Sequence, residues 1–183
     1  MEVKIIDPNI QEDRDFINNN PLLKDTFEKH IRWKSSPMSS NRIFEKYKTD
    51  IFSFAILDNQ GIVSMAMGTE YKDDLYISNV YSSVERIGGC TKVIGNLLNY
   101  WWDKEKLQFK NNLPVSLGVY DGNIAAIKCY EKYGFKKIFR TLVKDPLGND
   151  LVRIKMLLKK GSYAKNYLLP QYTQKLIEKQ KKN

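Results

Sequence analysis

Apolar positions along the chain recur with two periods, and the changes of period divide it into elements. Val3–Ile6 reads as a short strand closed by the turn signal Asp7-Pro8. From Ile10 to about Lys48 the spacing is helical. Pro21 and Pro37 cut this stretch into two or three short helices, because proline lacks the N–H that an interior helical bond needs. Leu22, Leu23, Phe27, Ile31 and Trp33 are expected on one apolar face of the middle piece. Ile51–Leu57 and Ile62–Met67 are dense in β-branched and aromatic residues and flank Asp58-Asn59-Gln60-Gly61, which predicts a hairpin. A third strand, Leu75–Tyr81, follows Lys72-Asp73-Asp74, so three adjacent antiparallel strands are expected ahead of the long helix.

That helix is announced by Ile94, Leu97, Leu98, Trp101 and Trp102, which fall at i, i+3, i+4, i+7 and i+8 and would share one face. Pro114–Tyr120 reads as a further strand. Asn123 looks like an N-cap and Gly134 like the left-handed residue past a C-terminus, enclosing a short helix over Ile124–Tyr133. Phe135–Lys144 and Leu151–Leu158 form a final strand pair about Asp145-Pro146-Leu147-Gly148-Asn149, and a last helix is expected from about Gln171 to Lys181. Helices interleaved with strands in this order require a packed α/β or α+β sheet. No repeat or linker interrupts the text, so residues 1–183 are expected to form a single domain.

Composition narrows the partners. Thirty Lys and Arg against 21 Asp and Glu leave a net charge of +9, which favours an anionic partner: nucleic acid, an acidic membrane surface or a phosphorylated small molecule. Part of that excess lies in the run from Lys175 to Asn183, which reads as a solvated tail. Two cysteines are too few for a disulfide framework or a multi-thiolate zinc site, and no metal is expected. The apolar runs are far shorter than the ~20 residues a spanning helix needs, and the first residues do not read as a signal peptide. With both thiols expected to be reduced, the chain reads as intracellular, cytoplasmic and without a membrane partner.

The chemistry concentrates in two segments. The first runs from Leu75 through Arg86-Ile87-Gly88-Gly89-Cys90-Thr91 into the long helix. The first N–H groups of a helix have no intrahelical partner and carry partial positive charge, which makes such a turn an anion site. Glycines let a phosphate approach the backbone, and Arg86 adds a full charge. Neither the dinucleotide G-x-G-x-x-G nor the G-x-x-x-x-G-K-[ST] phosphate loop can be written here. The second segment runs from Leu117 to Phe135 and contains Asn123, Ala126, Tyr130, Gly134 and Phe135.

Together these segments resemble the GNAT superfamily of acetyl-CoA-dependent N-acetyltransferases. The family carries [Q/R]-x-x-G-x-[G/A] at a helix start, matched by Arg86 and Gly89, with Thr91 where Gly or Ala is usual. Downstream it carries Asn-x-x-Ala-x-x-x-Tyr-x-x-x-Gly-Phe, matched at every position from Asn123 to Phe135. The resemblance covers about Ile51 to Ile138. It implies a mixed, mostly antiparallel central sheet of about six or seven strands with helices on both faces, and acetyl-CoA as cosubstrate. It further implies that Ile87, Gly88, Gly89, Cys90 and Thr91 receive the pyrophosphate, with Arg86 beside them. Asn79, Val80 and Tyr81 would hold the pantetheine arm, Asn123 would hydrogen-bond that arm, and Tyr130 would give a proton to the leaving thiolate.

The implied reaction is direct attack of a primary amine on the thioester within a ternary complex. An ammonium of pKa ~10 must first lose a proton, and a strand N–H such as that of Val80 would hold the oxyanion. No carboxylate lies within Leu75–Tyr81, so Glu70 at its approach and a water relay stand as alternative bases. His30 and Cys90 are assigned no chemical role, and Trp101 and Trp102 are read as core. Two competing readings remain: a non-catalytic acyl-CoA-binding domain, suggested by Thr91 and the missing strand carboxylate, and a nucleic-acid module driven by charge, which the two signatures disfavour. The acceptor is an amine-bearing small molecule or peptide, and the sequence leaves open which.

Overall fold

The computed structural model describes residues 1–31, 38–83 and 87–159. A seven-stranded sheet has the order β1-β2-β3-β4-β7-β9-β8, with strands β1 (Glu2–Ile6), β2 (Asp50–Leu57), β3 (Gly61–Glu70), β4 (Leu75–Ser82), β7 (Val115–Tyr120), β8 (Lys136–Lys144) and β9 (Asp150–Leu158). A separate ribbon is made of β5 (Trp102–Asp103) and β6 (Gln108–Phe109). The helices are α1 (Gln11–Asn18), α2 (Pro21–His30), α3 (Ser40–Lys46), α4 (Gly89–Trp101) and α5 (Ile124–Lys132). The β1–β2, β2–β3, β7–β9 and β8–β9 pairs are antiparallel, and β4–β7 is parallel. The chain forms two compact units, Met1–Glu70 with Ser78–Leu97, and Tyr71–Ile77 with the chain from Leu98 on.

In the first unit, Pro21 occupies the first position of α2, where its missing N–H costs nothing, and the Asn20 side chain caps the amides of Leu22 and Leu23. Strand β2 is buried along almost its whole length because helices cover both of its faces. On one face Phe52 and Phe54 meet Phe27 at ring separations of 5.4 Å, within a cluster that includes Ile17, Leu23, Ile31, Ile43 and Phe44. On the other, Ser53 Oγ donates to the Val93 carbonyl of α4 at 2.8 Å and accepts from Asn96 Nδ2 at 3.1 Å. Leu22, expected on the apolar face of α2, is 39% exposed, because Leu23 and Phe27 already fill the inward stripe. Trp33 and Pro37 lie outside the described residues.

In the second unit, β4 and β7 pair over Leu75–Ile77 and Val115–Leu117, and β9 runs antiparallel to both β7 and β8. The β8–β9 turn is closed by Asp145, whose Oδ1 accepts from the amides of Leu147 and Asn149 at 2.8 Å each. Helix α4 ends one residue earlier than its apolar spacing suggests. Trp102 does not extend the helical face but pairs with Phe109 in the ribbon, ring to ring at 5.1 Å. The cause is Asp103, whose carboxylate captures the amides of Glu105 and Lys106 and turns the chain away. The ribbon and the 3₁₀ turn Lys110–Asn112 had no counterpart in the hydrophobic pattern. The helix expected over Gln171–Lys181 lies outside the described residues. Neither cysteine is a free thiol, which overturns the expectation of two reduced ones; residue spacing carries no measure of that state. Among the described residues no helix is long and apolar enough to cross a membrane.

Candidate functional site

Two parts of the first unit carry the predicted coenzyme residues. The first is the turn into α4. Gly88 has φ 74°, a left-handed conformation that glycine adopts without strain, and an added Cβ there would meet open space. Gly89, the first helical residue, serves a different end. A Cβ on it would fall 1.9 Å from Ser64 Oγ and 3.0 Å from Ser82 Oγ, so glycine is what lets the helix start against β3 and β4. Those two hydroxyls bond each other at 2.7 Å, and Ser83 ties the chain to the Val63 carbonyl through both its amide and its Oγ. Lys92 N–H bonds the Gly88 carbonyl, so the amides of Gly89, Cys90 and Thr91 precede the first intrahelical bond. Ile87 opens this turn, and Arg86 lies outside the described residues.

The second part is a cavity of about 180 Å³ lined by His30, Tyr47, Met65, Met67, Asn79, Val80 and Tyr81, with Ile31 at its side. Asn79 has φ 47°, an uncommon value for a residue with a side chain, and its Nδ2 donates to Met67 Sδ at 3.1 Å. Asn79 thus marks a local irregularity in β4 just ahead of Val80 and Tyr81. His30, to which the sequence assigns no chemical role, lines this cavity. Its Nε2 lies 2.6 Å from the Ile62 carbonyl, and its ring lies 4.4 Å from that of Tyr81. A carbonyl only accepts, so Nε2 carries the proton. Burial holds the imidazole pKa below its ordinary 6.5, with Lys29 adding to the effect and the Ile62 bond opposing it. The neutral ring therefore keeps Nδ1 unprotonated. No local pattern marks this; it depends on a contact spanning 32 residues. Glu70 is exposed at the end of β3 and does not line the cavity.

The second unit holds Asn123 and Tyr130 on α5. Asn123 Oδ1 accepts from the Ala126 amide at 3.1 Å, so the side chain caps the helix, and its Nδ2 makes no hydrogen bond among the described residues. At the other end Phe135 N–H bonds the Tyr130 carbonyl and Gly134 N–H that of Glu131, with Gly134 at φ 92°, which is a Schellman closure. The Tyr130 ring meets Phe135 at 6.2 Å and is only 4% exposed. Its hydroxyl makes no hydrogen bond among the described residues and still reaches solvent. Burial pushes the phenol pKa up to about 12.

No known protein-family pattern matches the chain, and no curated protein matches it in sequence. Solved structures do. The ribosomal-protein-S18-alanine N-acetyltransferase of Escherichia coli superposes with a TM-score of 0.57 at 18% identity, covering 92% of this chain and 99% of that one. The yncA protein of Salmonella typhimurium, solved with its cofactor acetyl-CoA, gives 0.60 at 13% identity over 92% and 98%. A spermidine N-acetyltransferase SpeG chimera from Vibrio cholerae and hSSAT gives 0.56 at 14% over 87% and 96%. The chain has the fold of the GNAT N-acetyltransferases, with its mixed, mostly antiparallel seven-stranded sheet. At these identities the likeness is one of fold.

Proposed function

We propose that this protein is an N-acetyltransferase that moves an acetyl group from acetyl-CoA to a primary amine by direct attack within a ternary complex. The observation that carries the reading is Tyr130, on the helix of the second signature, whose ring is buried and whose hydroxyl makes no hydrogen bond among the described residues. Acetyl-CoA suits the residues of both signatures, each taken within its own unit. Gly88 leaves open space beside a helix start whose amides are outside the helical ladder, which suits a diphosphate. Arg86 supplies a cation, Asn79, Val80 and Tyr81 edge a cavity at an irregular point of β4, and Asn123 Nδ2 is available to donate to the arm.

In the reaction the amine nitrogen forms a bond to the thioester carbonyl carbon, the oxygen takes up negative charge beside the Val80 amide, and the C–S bond then breaks. His30 Nδ1 accepts the proton that the amine sheds; Glu70, through solvent, is the alternative. A thiol has pKa about 8.5, so full transfer from a phenol at about 12 runs uphill. The contribution of Tyr130 is therefore a hydrogen bond to the sulfur as charge builds there, with solvent completing the protonation. The test is a thermal melt with acetyl-CoA. At a hundred times its Kd the ligand should add ~2.7 kcal/mol and raise Tm by about 5–10 °C. An unchanged Tm at millimolar acetyl-CoA refutes the reading. A shift without thiol release from any amine would instead favour a non-catalytic acyl-CoA-binding domain, to which Thr91 and the carboxylate-free cavity lining also point.

A further inference from the structure

A second cavity, of about 300 Å³, lies wholly within the second unit, on the more exposed face of the β4-β7-β9-β8 part of the sheet. Register fixes that face. Tyr76 stands opposite Ser116, Gly118 opposite Lys155, and Lys155 and Arg153 opposite Phe139 and Thr141. Leu117, Val119, Ile154 and Met156 point to the other, buried side.

The cavity floor is Gly118, and over it lies the guanidinium of Arg153. A Cβ at Gly118 would fall 2.6 Å from Arg153 Nε, 2.7 Å from Nη2 and 2.9 Å from Cζ, so the glycine is what lets the plane lie flat across β7. Arg153 Nη2 donates to Tyr76 Oη at 2.8 Å, a neutral partner that orients the fork without cancelling its charge. Lys155 extends over the Phe139 ring, 6.0 Å from its centroid. Neither cation forms an ion pair among the described residues, and no carboxylate lines the cavity. Asp74, on the same side of the sheet, is engaged by Ser116 Oγ. Two cations without counter-charges among the described residues, set beside Phe139 and Val143, describe a receptor for one ligand chemistry: a carboxylate on a short apolar or aromatic body.

We infer that this cavity binds such a carboxylate and, resting on the acetyl-transfer reading, that it selects an acceptor amine which also carries one, an amino acid or the end of a short peptide. The same cations would repel a polyamine or an aminoglycoside. The cavity adjoins the short β4–β7 pairing, which ends at Ile77 and Leu117, one residue before the Gly118 floor.

The test compares L-phenylalanine with L-phenylalaninamide, which differ only in the carboxylate, by titration calorimetry on the full chain without coenzyme. The acid should bind at least ten times more tightly, and added salt should erode the difference. Arg153→Gln should remove the preference and Lys155→Gln should weaken it. Gly118→Ala should do the same by displacing the guanidinium, with far-ultraviolet dichroism reporting whether each variant stays folded. Equal affinity of the wild-type chain for acid and amide, or no binding of either at 10 mM, overturns the proposal without reference to any variant. Because coenzyme is absent from this titration, the acetyl-CoA melt fails or succeeds independently. Acid-selective binding with no acetyl-CoA shift would keep the cavity and discard the transfer reading.

Discussion

Replacing Tyr130 by phenylalanine removes one oxygen and separates two roles of the residue. The ring packs on Phe135 in the Schellman closure of α5, and Phe would keep that contact. The hydroxyl makes no hydrogen bond among the described residues and, unlike the ring, still reaches solvent. Burying an unpaired hydroxyl costs about 1–3 kcal/mol. Part of this is relieved where solvent reaches the atom, so Tyr130→Phe should leave the protein unchanged or more stable by about 1 kcal/mol, worth roughly 2–4 °C in Tm for a chain this size. The alkaline limb gives a second reading of the same environment. The folded-state pKa is raised to about 12 from 10.0. Below pH 10 the phenol is neutral in both states and contributes no pH dependence. Above it the unfolded chain ionises first, so stability falls as pH rises from 10 through 12. At pH 11 that loss is about 1.4 kcal/mol, and Tyr130→Phe should lack this increment. Turnover should move the other way: losing one donor to the developing thiolate should lower kcat about 10²-fold with little change in acetyl-CoA affinity. The assays are denaturant melts at pH 8 and 11 alongside thiol release with a productive amine. A variant that is less stable at pH 8 while keeping full kcat would mean that the hydroxyl is a structural group, and the mechanism would lose its donor.

Gly89→Ala should lower stability by about 1–3 kcal/mol, read in urea, because its Cβ has no room beside Ser64; retained stability would mean that α4 starts elsewhere. Asn123→Ala should cost about 1 kcal/mol by removing the cap on the Ala126 amide, and a further loss of acetyl-CoA affinity would report the Nδ2 contact. His30→Gln should flatten the acid limb of stability. The folded-state pKa of His30 lies below its unfolded value of 6.5, so the unfolded chain takes up that proton first and the wild type loses stability as pH falls below about 6.5. The same variant should abolish the acid limb of the kcat profile, and an unaltered profile would return the base to Glu70 or water.

What the sequence revealed was what local chemistry decides. The hairpin at Asp58–Gly61, the cap at Asn123 and the left-handed Gly134 each follow from one residue's side chain or its absence, and each stands where the pattern put it. Residues 102–112 escaped because their path depends on Leu107 and Asn112 at φ 54° and 55°, and nothing in leucine's chemistry favours that conformation. His30 escaped because its neighbours Ile62 and Tyr81 are 32 and 51 residues away, so its environment exists only after β2, β3 and β4 have assembled. Arg153 and Gly118 face each other across a strand pair whose register no short motif encodes.

The structure also divides the two signatures between folding and chemistry. Asn123, Ala126, Gly134 and Phe135 are accounted for as the two closures of one short helix. Gly89 is accounted for by Ser64 and Ser82. A recurrent motif built only of such residues would mark a fold and nothing more. Two features are left over. Gly88 is left-handed, and the place a Cβ would take there is open, so the turn leaves room beside its backbone. Tyr130 supplies a ring contact that phenylalanine would supply as well, and carries a hydroxyl that makes no hydrogen bond among the described residues. The case for a reaction rests on these residues because packing alone gives no reason for room left beside a left-handed glycine or for a hydroxyl that bonds no described residue.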